Sequence, residues 1–270
     1  GSESDPDYTD VLKTNSDVLQ LHLRREPRFY ASIAADRTKW QRGPKGQKVA
    51  YNLTVEAYKG ESFGSQYDIV SSTVAQNING YWWKKHLDSE LTTKEYVVSS
   101  NRTMPLMRLA ELYLMQAEAW NEYLERPDER VYGPLNNVRL RAGIPDVVTA
   151  WKSYSNSPEK VDTKEGMRDI IQQETSIELA LEGHRERTIE LAFEGHRFWN
   201  LRRWKTAHLE LNEKQYGWNI LGESAQAFYN DFNGPVVVWS KCKFTAPRDY
   251  LFPLDAEEVL ISSLVQNPGW

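Results

Sequence analysis

Apolar side chains recur at helical spacing over two neighbouring stretches in the middle of the chain. In residues 103–126 an apolar side chain stands at nearly every third or fourth position, with further apolar residues on the flanks of this stripe. This pattern predicts one long, mostly buried helix. Residues 133–142 continue the pattern until Gly143 and Pro145 end it. Two helices joined by a short turn predict a hairpin of the tetratricopeptide kind, although the chain has no clean repeat of about 34 residues.

A third helical stretch begins after Asp162 and Thr163, either of which can cap its N-terminus. Its apolar stripe consists of Met167, Ile170, Ile171, Ile177 and Leu181. Glu174 lies on the same stripe, where its carboxylate would be removed from water. The sequence therefore predicts a cationic partner for Glu174.

The remaining segments alternate short apolar bursts with Gly, Asn, Ser and Thr, a pattern typical of loops and short strands. The bursts before the helices cover residues 29–33, 49–53 and 96–98, and a strand-like run after them covers residues 235–239. Together these patterns predict a mainly α fold of tetratricopeptide-like helical hairpins, an α-α superhelix, with long ordered loops and little β structure.

Composition excludes some classes of partner. With 270 residues, of which 40% are apolar, the chain can bury one substantial core. Its 33 basic and 38 acidic side chains give a net charge of −5, so no strong positive field for nucleic acid or an anionic membrane is expected. A single cysteine, Cys242, excludes an internal disulfide. Gly1 and Ser2 resemble an expression remnant, which indicates a piece of a longer protein.

One nine-residue phrase occurs twice, as IELALEGHR at residues 177–185 and as IELAFEGHR at residues 189–197. On a continuous helix, a step of twelve residues advances about 120° beyond three full turns, so the two copies cannot present the same side chains to one neighbour. Gly183 and Gly195 are natural places for a helix to end or bend. A helix, a kink and another helix is therefore the plainer interpretation than two equal sites.

The second copy and the residues that follow it resemble the signature of the SusD/RagB family. Glu186 and Arg187, followed by IELAFEGHRFWNLRRW, match the pattern ER-x-x-ELAFEG-x-R-FWDLRRW at nearly every position. Four further blocks follow in the family's order: REPRFYASI at residues 25–33, RLAELYLMQAEAWNE at 108–122, LNNVRLRAGIP at 135–145 and LVQNPGW at 264–270. The resemblance spans about residues 25–270, the C-terminal half of the family's proteins.

Two departures from the family pattern stand out. Asn200 takes the place of the usual Asp, which removes a charge beside Arg202 and Arg203. The first copy of the phrase also runs on from the preceding helix as the family pattern would. We interpret the two copies as a twelve-residue tandem duplication within a single signature.

The resemblance implies an outer-membrane lipoprotein on the extracellular face of the cell, lipid-anchored in its full-length form. Such a protein binds a polysaccharide or oligosaccharide, or another nutrient, and passes it to a SusC-like, TonB-dependent transporter. It implies a binding protein, not an enzyme, with no cofactor. The alternative is a helical-repeat scaffold that binds only protein partners, which buried loop tryptophans would favour.

We expect residues 1–270 to form a single SusD/RagB-like C-terminal region with four parts. Residues 1–24 are an expression-derived start and a linker-like stretch, and residues 25–101 are a loop-rich binding part. Residues 102–205 are the helical part, and residues 206–270 are an irregular C-terminal part.

Other chemistries fit the repeated phrase less well. Glu182 and Glu194 would lie about 18 Å apart on one helix, whereas the two carboxylates of a glycosidase are about 5 to 10 Å apart. His184 and His196 lack the neighbouring ligands of a metal site. We therefore expect no catalytic residue and no metal.

The charged and aromatic residues around the phrase have a structural interpretation. Its arginines alternate with glutamates, which favours intramolecular ion pairs over phosphate or nucleic-acid binding. Trp199 and Trp204, flanked by Phe198 and Leu201, are expected to lie in the core.

Aromatic residues of the loop-rich part are the candidates for ligand binding, because loops on a rigid scaffold carry binding residues and indoles pack against the C–H faces of sugars. The candidates are Trp40, Tyr58, Tyr81, Trp82 and Trp83. The structural alternative is that these rings fold back over the helices, and Trp151 and Tyr154 in the central loop have the same two interpretations. Neighbouring side chains of an extended segment point to opposite faces, so at most two of the three rings at residues 81–83 can meet one ligand.

Overall fold

Short elements organise the loop-rich part in the computed structural model, which describes residues 18–41, 52–66, 77, 79–84, 107–180, 196–240 and 243–270. They are helix α1 (Pro27–Ser32) and strands β1 (Ile33–Ala34), β2 (Lys39–Gln41), β3 (Asn52–Thr54) and β4 (Trp82–Trp83). Strand β1 pairs antiparallel with β4, and β2 pairs antiparallel with β3.

The apolar burst at residues 29–33 was expected to form a strand or loop, and that expectation is wrong for most of it. Helix α1 covers the burst up to Ser32, because Pro27 occupies the first turn, where its fixed φ and its missing N–H suit a helix. The burst at residues 49–53 overlaps β3. The burst at residues 96–98 lies outside the described residues.

An aromatic core joins the loop-rich part to the C-terminal part of the chain. It consists of Phe29, Tyr30, Ile33, Ala35, Ala57, Tyr58, Tyr81, Trp218, Phe228 and Tyr229. The backbone at Gly80 lies against this core in a conformation that requires glycine. Its φ is +77°, and a Cβ there would lie 2.8 Å from the Phe228 ring. The chain can approach the core this closely because residue 80 has no side chain.

The predicted helical hairpin is confirmed. It consists of α2 (Leu109–Tyr123) and α3 (Glu129–Arg141), followed by α4 (Val147–Tyr154) and the long helix α5 (Lys164–Ala180). Their shared core contains Ala110, Leu114, Ala117, Val131, Leu135, Val138, Val147, Val161, Met167, Ile170 and Ile171. No helix in the described part of the chain has the length and hydropathy needed to span a bilayer.

Helix α2 is less buried than its apolar pattern predicted. Leu109, Leu112 and Met115 are between 46% and 62% exposed, although Ala110, Leu114 and Ala117 are buried. Among the described elements, α2 packs mainly against α3 and α5, and both lie along the same face. The flanking apolar residues lie outside that contact, so the prediction of a mostly buried helix is wrong on this side.

The cationic partners expected for Glu174 are present. Its carboxylate lies 2.7 Å from Arg28 and 2.5 Å from Arg139. One turn later along α5, the buried Glu178 lies 3.0 Å from Arg108 and 3.3 Å from Arg28. Arg28 thus connects the loop-rich part to α5 through two carboxylates.

The C-terminal part contains helices α6 (His196–Arg203), α7 (Ala207–Glu210), α8 (Ala225–Phe228) and α9 (Ala256–Ser262). Strand β5 (Gln215–Gly217) pairs antiparallel with β6 (Val236–Trp239), which confirms the strand predicted at residues 235–239. The overall pattern of helical hairpins, loops and little strand is the predicted fold class.

Trp199 differs from its predicted place in the core. Its side chain is 57% exposed, and its ring makes an edge contact with Phe252, whereas Leu201 on the same helix is buried. Trp199 and Leu201 are two residues apart on helix α6, a step of about 200° around the helix axis, so their side chains lie on different sides. Trp204 is partly buried against Leu201 and does belong to a small core.

The two copies of the repeated phrase are shared between two helices. Helix α5 ends at Ala180, within the first copy, and α6 begins at His196, within the second copy. Residues 181–195, which include Gly183, Gly195, Glu182 and Glu194, lie outside the described residues. The beginning of the first copy thus lies in α5, and the end of the second copy lies in α6.

Candidate functional site

Two of the five predicted ligand-binding residues lie in the aromatic core. Tyr58 is 7% exposed and Tyr81 is 8% exposed. The Tyr81 hydroxyl is 3.0 Å from Nε2 of the buried His22, and the Tyr58 ring packs 5.4 Å from the Phe228 ring, centroid to centroid. These contacts hold the loops together from the inside.

The three tryptophans lie in the two β ribbons. Trp82 is half-buried, packs on Ala34 and Val55, and makes an edge contact with Phe63 at 5.7 Å between ring centroids. For Trp40 and Trp83 the structure describes the backbone pairing alone, with Leu53 and Ile33 respectively, and their side chains lie outside the described residues. Trp82 also packs against the aromatic core. Since Tyr58 and Tyr81 are buried inside that core, the structure does not bring all five predicted residues onto one exposed surface.

A buried polar network fixes the loop around Tyr58. The Asp36 carboxylate accepts hydrogen bonds from the Ala57 backbone N–H and from the Tyr229 hydroxyl, each at 3.0 Å. Arg37 lies over the Tyr58 ring, 4.2 Å from its centroid, and forms an ion pair with Glu61 at 2.9 Å. Burial raises the pKa of Asp36 despite these donors, and burial together with the Asp36 charge raises the pKa of Tyr58 to about 12.

A cleft of about 470 Å³ lies in the helical part, between α4 and α5 on one side and α6 and α7 on the other. Trp151 of α4 and Trp204, just after α6, both line it, and both indoles are half-buried. Helix α5 contributes Asp169, Gln172, Gln173 and Ser176, which are spaced as one helical face. This polar face is opposite to the stripe of Met167, Ile170, Ile171 and Glu174 that enters the helical core.

The sequence indicated parts of this cleft without identifying it. Trp151 was noted as an indole in a polar loop with two interpretations, while Trp204 was assigned to the core. The i, i+3, i+4, i+7 spacing of residues 169–176 is visible in the sequence. Its meaning depends on α6 and α7 lying opposite, a long-range contact that periodicity alone does not give.

The residues that could make the protein a catalyst or a metalloprotein belong to the repeated phrase, and most of them lie outside the described residues. Glu182, Glu194 and His184 are among these, and the side chain of His196 is not described. Within the described ranges, no group of three or more His, Cys, Asp or Glu residues is arranged to hold a metal ion.

These features define a class of protein, namely a mainly helical protein in which tetratricopeptide-like hairpins carry long loops rich in aromatic residues. The chain belongs to the SusD family, whose model matches it over residues 1–185 and again over residues 184–270. The two matches overlap at His184 and Arg185, the last two residues of the first copy of the repeated phrase. The family resemblance stated from the sequence is thereby confirmed.

Solved structures of SusD-like proteins are similar to this one. The protein BT4246 is 27% identical, with a TM-score of 0.69 over 99% of this chain and 42% of its own. The SusD-like protein BF3747 from Bacteroides fragilis is 24% identical, with a TM-score of 0.63 over 99% of this chain and 43% of its own. The SusD-like carbohydrate-binding protein BF0978 from the same species is 22% identical, with a TM-score of 0.56 over 94% of this chain and 42% of its own.

The chain therefore spans less than half the length of these solved structures, 42 to 43% of each. No curated protein matches it.

Proposed function

We propose that this protein is the glycan-binding component of a SusC/SusD-like uptake system on the extracellular face of the outer membrane. In this proposal the full-length protein is lipid-anchored and passes a polysaccharide or oligosaccharide to a TonB-dependent transporter. The observation that carries the proposal is the match of the SusD family model along the whole chain. Carbohydrate binding, the property named for BF0978, is extended to this chain as part of the proposal.

The loop-rich part is the proposed ligand surface, and the packing of its elements supports this role. The β1–β4 and β2–β3 ribbons are tied to the aromatic core by Tyr58 and Tyr81, so they form a rigid base. We assign ligand contact to Trp40, Trp82 and Trp83, and we assign support of the loops to the two tyrosines. Rigid aromatic rings bind with a small loss of side-chain entropy, which suits recognition of sugar faces.

Binding without catalysis is part of the same proposal. The two acidic side chains that α5 buries, Glu174 and Glu178, form ion pairs with arginines, which gives them a structural role in the fold. We therefore expect incubation with a polysaccharide panel to release no reducing sugar. Product formation that disappears when one Glu is changed to Gln would contradict this.

One observation favours a second candidate function, a helical scaffold for protein partners. The outer side of α2 exposes Leu109, Leu112 and Met115, an apolar row of a kind found at protein interfaces. Glycan binding and a protein interface on α2 would involve different surfaces of the molecule. A protein that binds no glycan but associates through α2 would support the scaffold alone.

Replacing Trp40, Trp82 or Trp83 by alanine is the direct test of the ligand surface. We expect at least one replacement to weaken glycan binding by about 1 to 3 kcal/mol, the scale of aromatic stacking on flat ligands. Affinity gels containing different polysaccharides identify the ligand, and isothermal titration calorimetry then measures the affinity of each variant.

Trp199→Ala is the matched control, because Trp199 is an exposed indole outside the loop-rich part. Parental affinity in all three loop variants, together with lower melting temperatures, would assign these rings to packing and reject the proposed surface.

A further inference from the structure

The cleft between α4 and α5 on one side and α6 and α7 on the other has the composition of a sugar-binding site. We propose that it binds a neutral saccharide unit, as a contact separate from the loop-rich part. The inference rests on the proposed glycan binding and deepens it, because it names a second site and the charge class of the ligand. Its volume of about 470 Å³ falls within the range of small-molecule pockets, about 300 to 1,000 Å³.

Two indoles supply the apolar surface that sugar rings need. Trp151 packs partly on the helical core, and Trp204 packs partly on Leu201, so each ring is held while part of it remains open to the cleft. The Trp204 ring is further fixed because its Nε1 donates a hydrogen bond to Glu118 at 3.1 Å. An indole that is held in place before binding loses little entropy when a ligand stacks on it.

Two amides provide the hydrogen-bonding groups that hydroxyls need. Gln172 and Gln173 project from α5 toward the cleft, and within the described part of the chain neither side chain has a hydrogen-bond partner. Each amide can donate and accept, which matches the mixed character of a sugar hydroxyl. The Ser176 hydroxyl, which accepts from Arg197 at 3.1 Å, and Thr206 line the same space.

The charges that line the cleft point to a neutral ligand. Its cations and anions form pairs: Lys160 lies 2.9 Å from Asp169, and Arg197 lies 3.3 Å from Glu210. Among the described residues that line the cleft, two positive and two negative groups sum to zero, so these residues offer no excess positive charge to a uronate, sulfate or phosphate group. An anionic glycan would also have to lie beside Asp169 and Glu210, which repel it.

Two variants test this cleft by separate routes. Trp151→Ala removes one stacking ring, and the double variant Gln172→Ala with Gln173→Ala removes the two amides without touching a core side chain. Trp204 is left intact because its indole also packs on Leu201. Trp199→Ala is the matched control, since Trp199 lies on α6 but does not line the cleft.

The measurement is retardation in affinity gels that contain one polysaccharide each. Dextran, inulin, galactomannan and xyloglucan are the neutral probes, and polygalacturonate and chondroitin sulfate are the acidic ones. We expect a neutral polysaccharide to retard the parent protein. Trp151→Ala and the double glutamine variant should each weaken that binding at least about five-fold, the equivalent of about 1 kcal/mol, while Trp199→Ala leaves it unchanged.

Three other results would each contradict a specific part of this proposal. Parental retardation of both cleft variants, with loss in Trp82→Ala, would reject the cleft and keep the proposed function. Retardation by acidic polysaccharides alone would reject the neutral ligand. A parent protein that none of the six polysaccharides retards would count against the cleft and against glycan binding together, and melting curves of the variants distinguish lost binding from lost folding.

Discussion

Glu174→Ala is expected to lower the free energy of unfolding by about 3 to 5 kcal/mol, because it leaves the buried charge of Arg139 without its carboxylate and removes one of the carboxylates around Arg28. The Glu174 side chain is 4% exposed, and those of its partners Arg28 and Arg139 are each 10% exposed. Burial opposes the charge of Arg28, but the carboxylates of Glu174 and Glu26 outweigh it and raise its pKa above the usual value. Without Glu174, Arg139 would keep only its bond to the Pro145 carbonyl as a described partner in the interior.

Chemical denaturation of Glu174→Ala beside Glu122→Ala measures this effect against a matched ion pair. Glu122 pairs with Arg168 through two short contacts of 2.6 and 2.8 Å, but both side chains are well exposed. An exposed pair contributes about 1 kcal/mol or less, so the control should change little. If the two variants lose the same free energy of unfolding, the buried ion pairs of Glu174 stabilise the protein no more than an exposed pair does.

Acidification is expected to destabilise the protein through His22. The ring is fully buried, with Nε2 beside the Tyr81 hydroxyl, and burial, together with the charge of Arg25, lowers its pKa from 6.5 to about 3. Below pH 6.5 the unfolded chain binds a proton at this ring, but the folded chain does not bind it until about pH 3. Stability is therefore lost as the pH falls through this window, by about 1.4 kcal/mol per pH unit, or about 2 kcal/mol at pH 5.

Unfolding curves between pH 7.5 and about pH 4.5 test this slope in the parent and in His22→Gln, which cannot titrate there. The variant should be less stable at neutral pH and should show a flatter dependence on pH. His208→Gln is the control, since His208 is only partly buried and bonds to Tyr250 at 2.7 Å. If His22→Gln keeps the full parental slope, another group is responsible for the acid sensitivity.

The spacing of apolar residues along the chain predicted those parts of the fold that form through contacts between neighbouring segments. The spacing of Leu114 and Ala117 in α2 and the stop at Gly143 after α3 predicted the hairpin. The position of Glu174 on an apolar stripe predicted a cationic partner, which the structure shows to be Arg28 and Arg139. The same reasoning failed where one apolar pattern is compatible with two kinds of secondary structure. Five residues from Phe29 to Ile33 fit a strand or a helix turn equally well, and Pro27 together with the tertiary contacts of Phe29 decides for the helix.

The candidate site was less predictable, because exposure of a ring depends on residues far away in sequence. Nothing near Tyr58 or Tyr81 indicates that Phe228 and His22 cover them. Trp199 and Leu201 are two positions apart in one aromatic phrase, and one is exposed while the other is buried. The cleft has the same origin, since its α5 face is a local pattern but its α6 and α7 wall is a long-range contact.

The aromatic core also bears on the order in which the chain folds. The α2–α3 hairpin closes over a short turn, so it pays little loop entropy and forms fast. Packing of Tyr58 and Tyr81 on Trp218 and Phe228 brings together segments separated by all of α2 to α7, which places that step late. We therefore expect the loop-rich part to gain its packing after the helices have formed, and we expect mutations in this core mainly to speed unfolding while leaving the refolding rate of the hairpin unchanged.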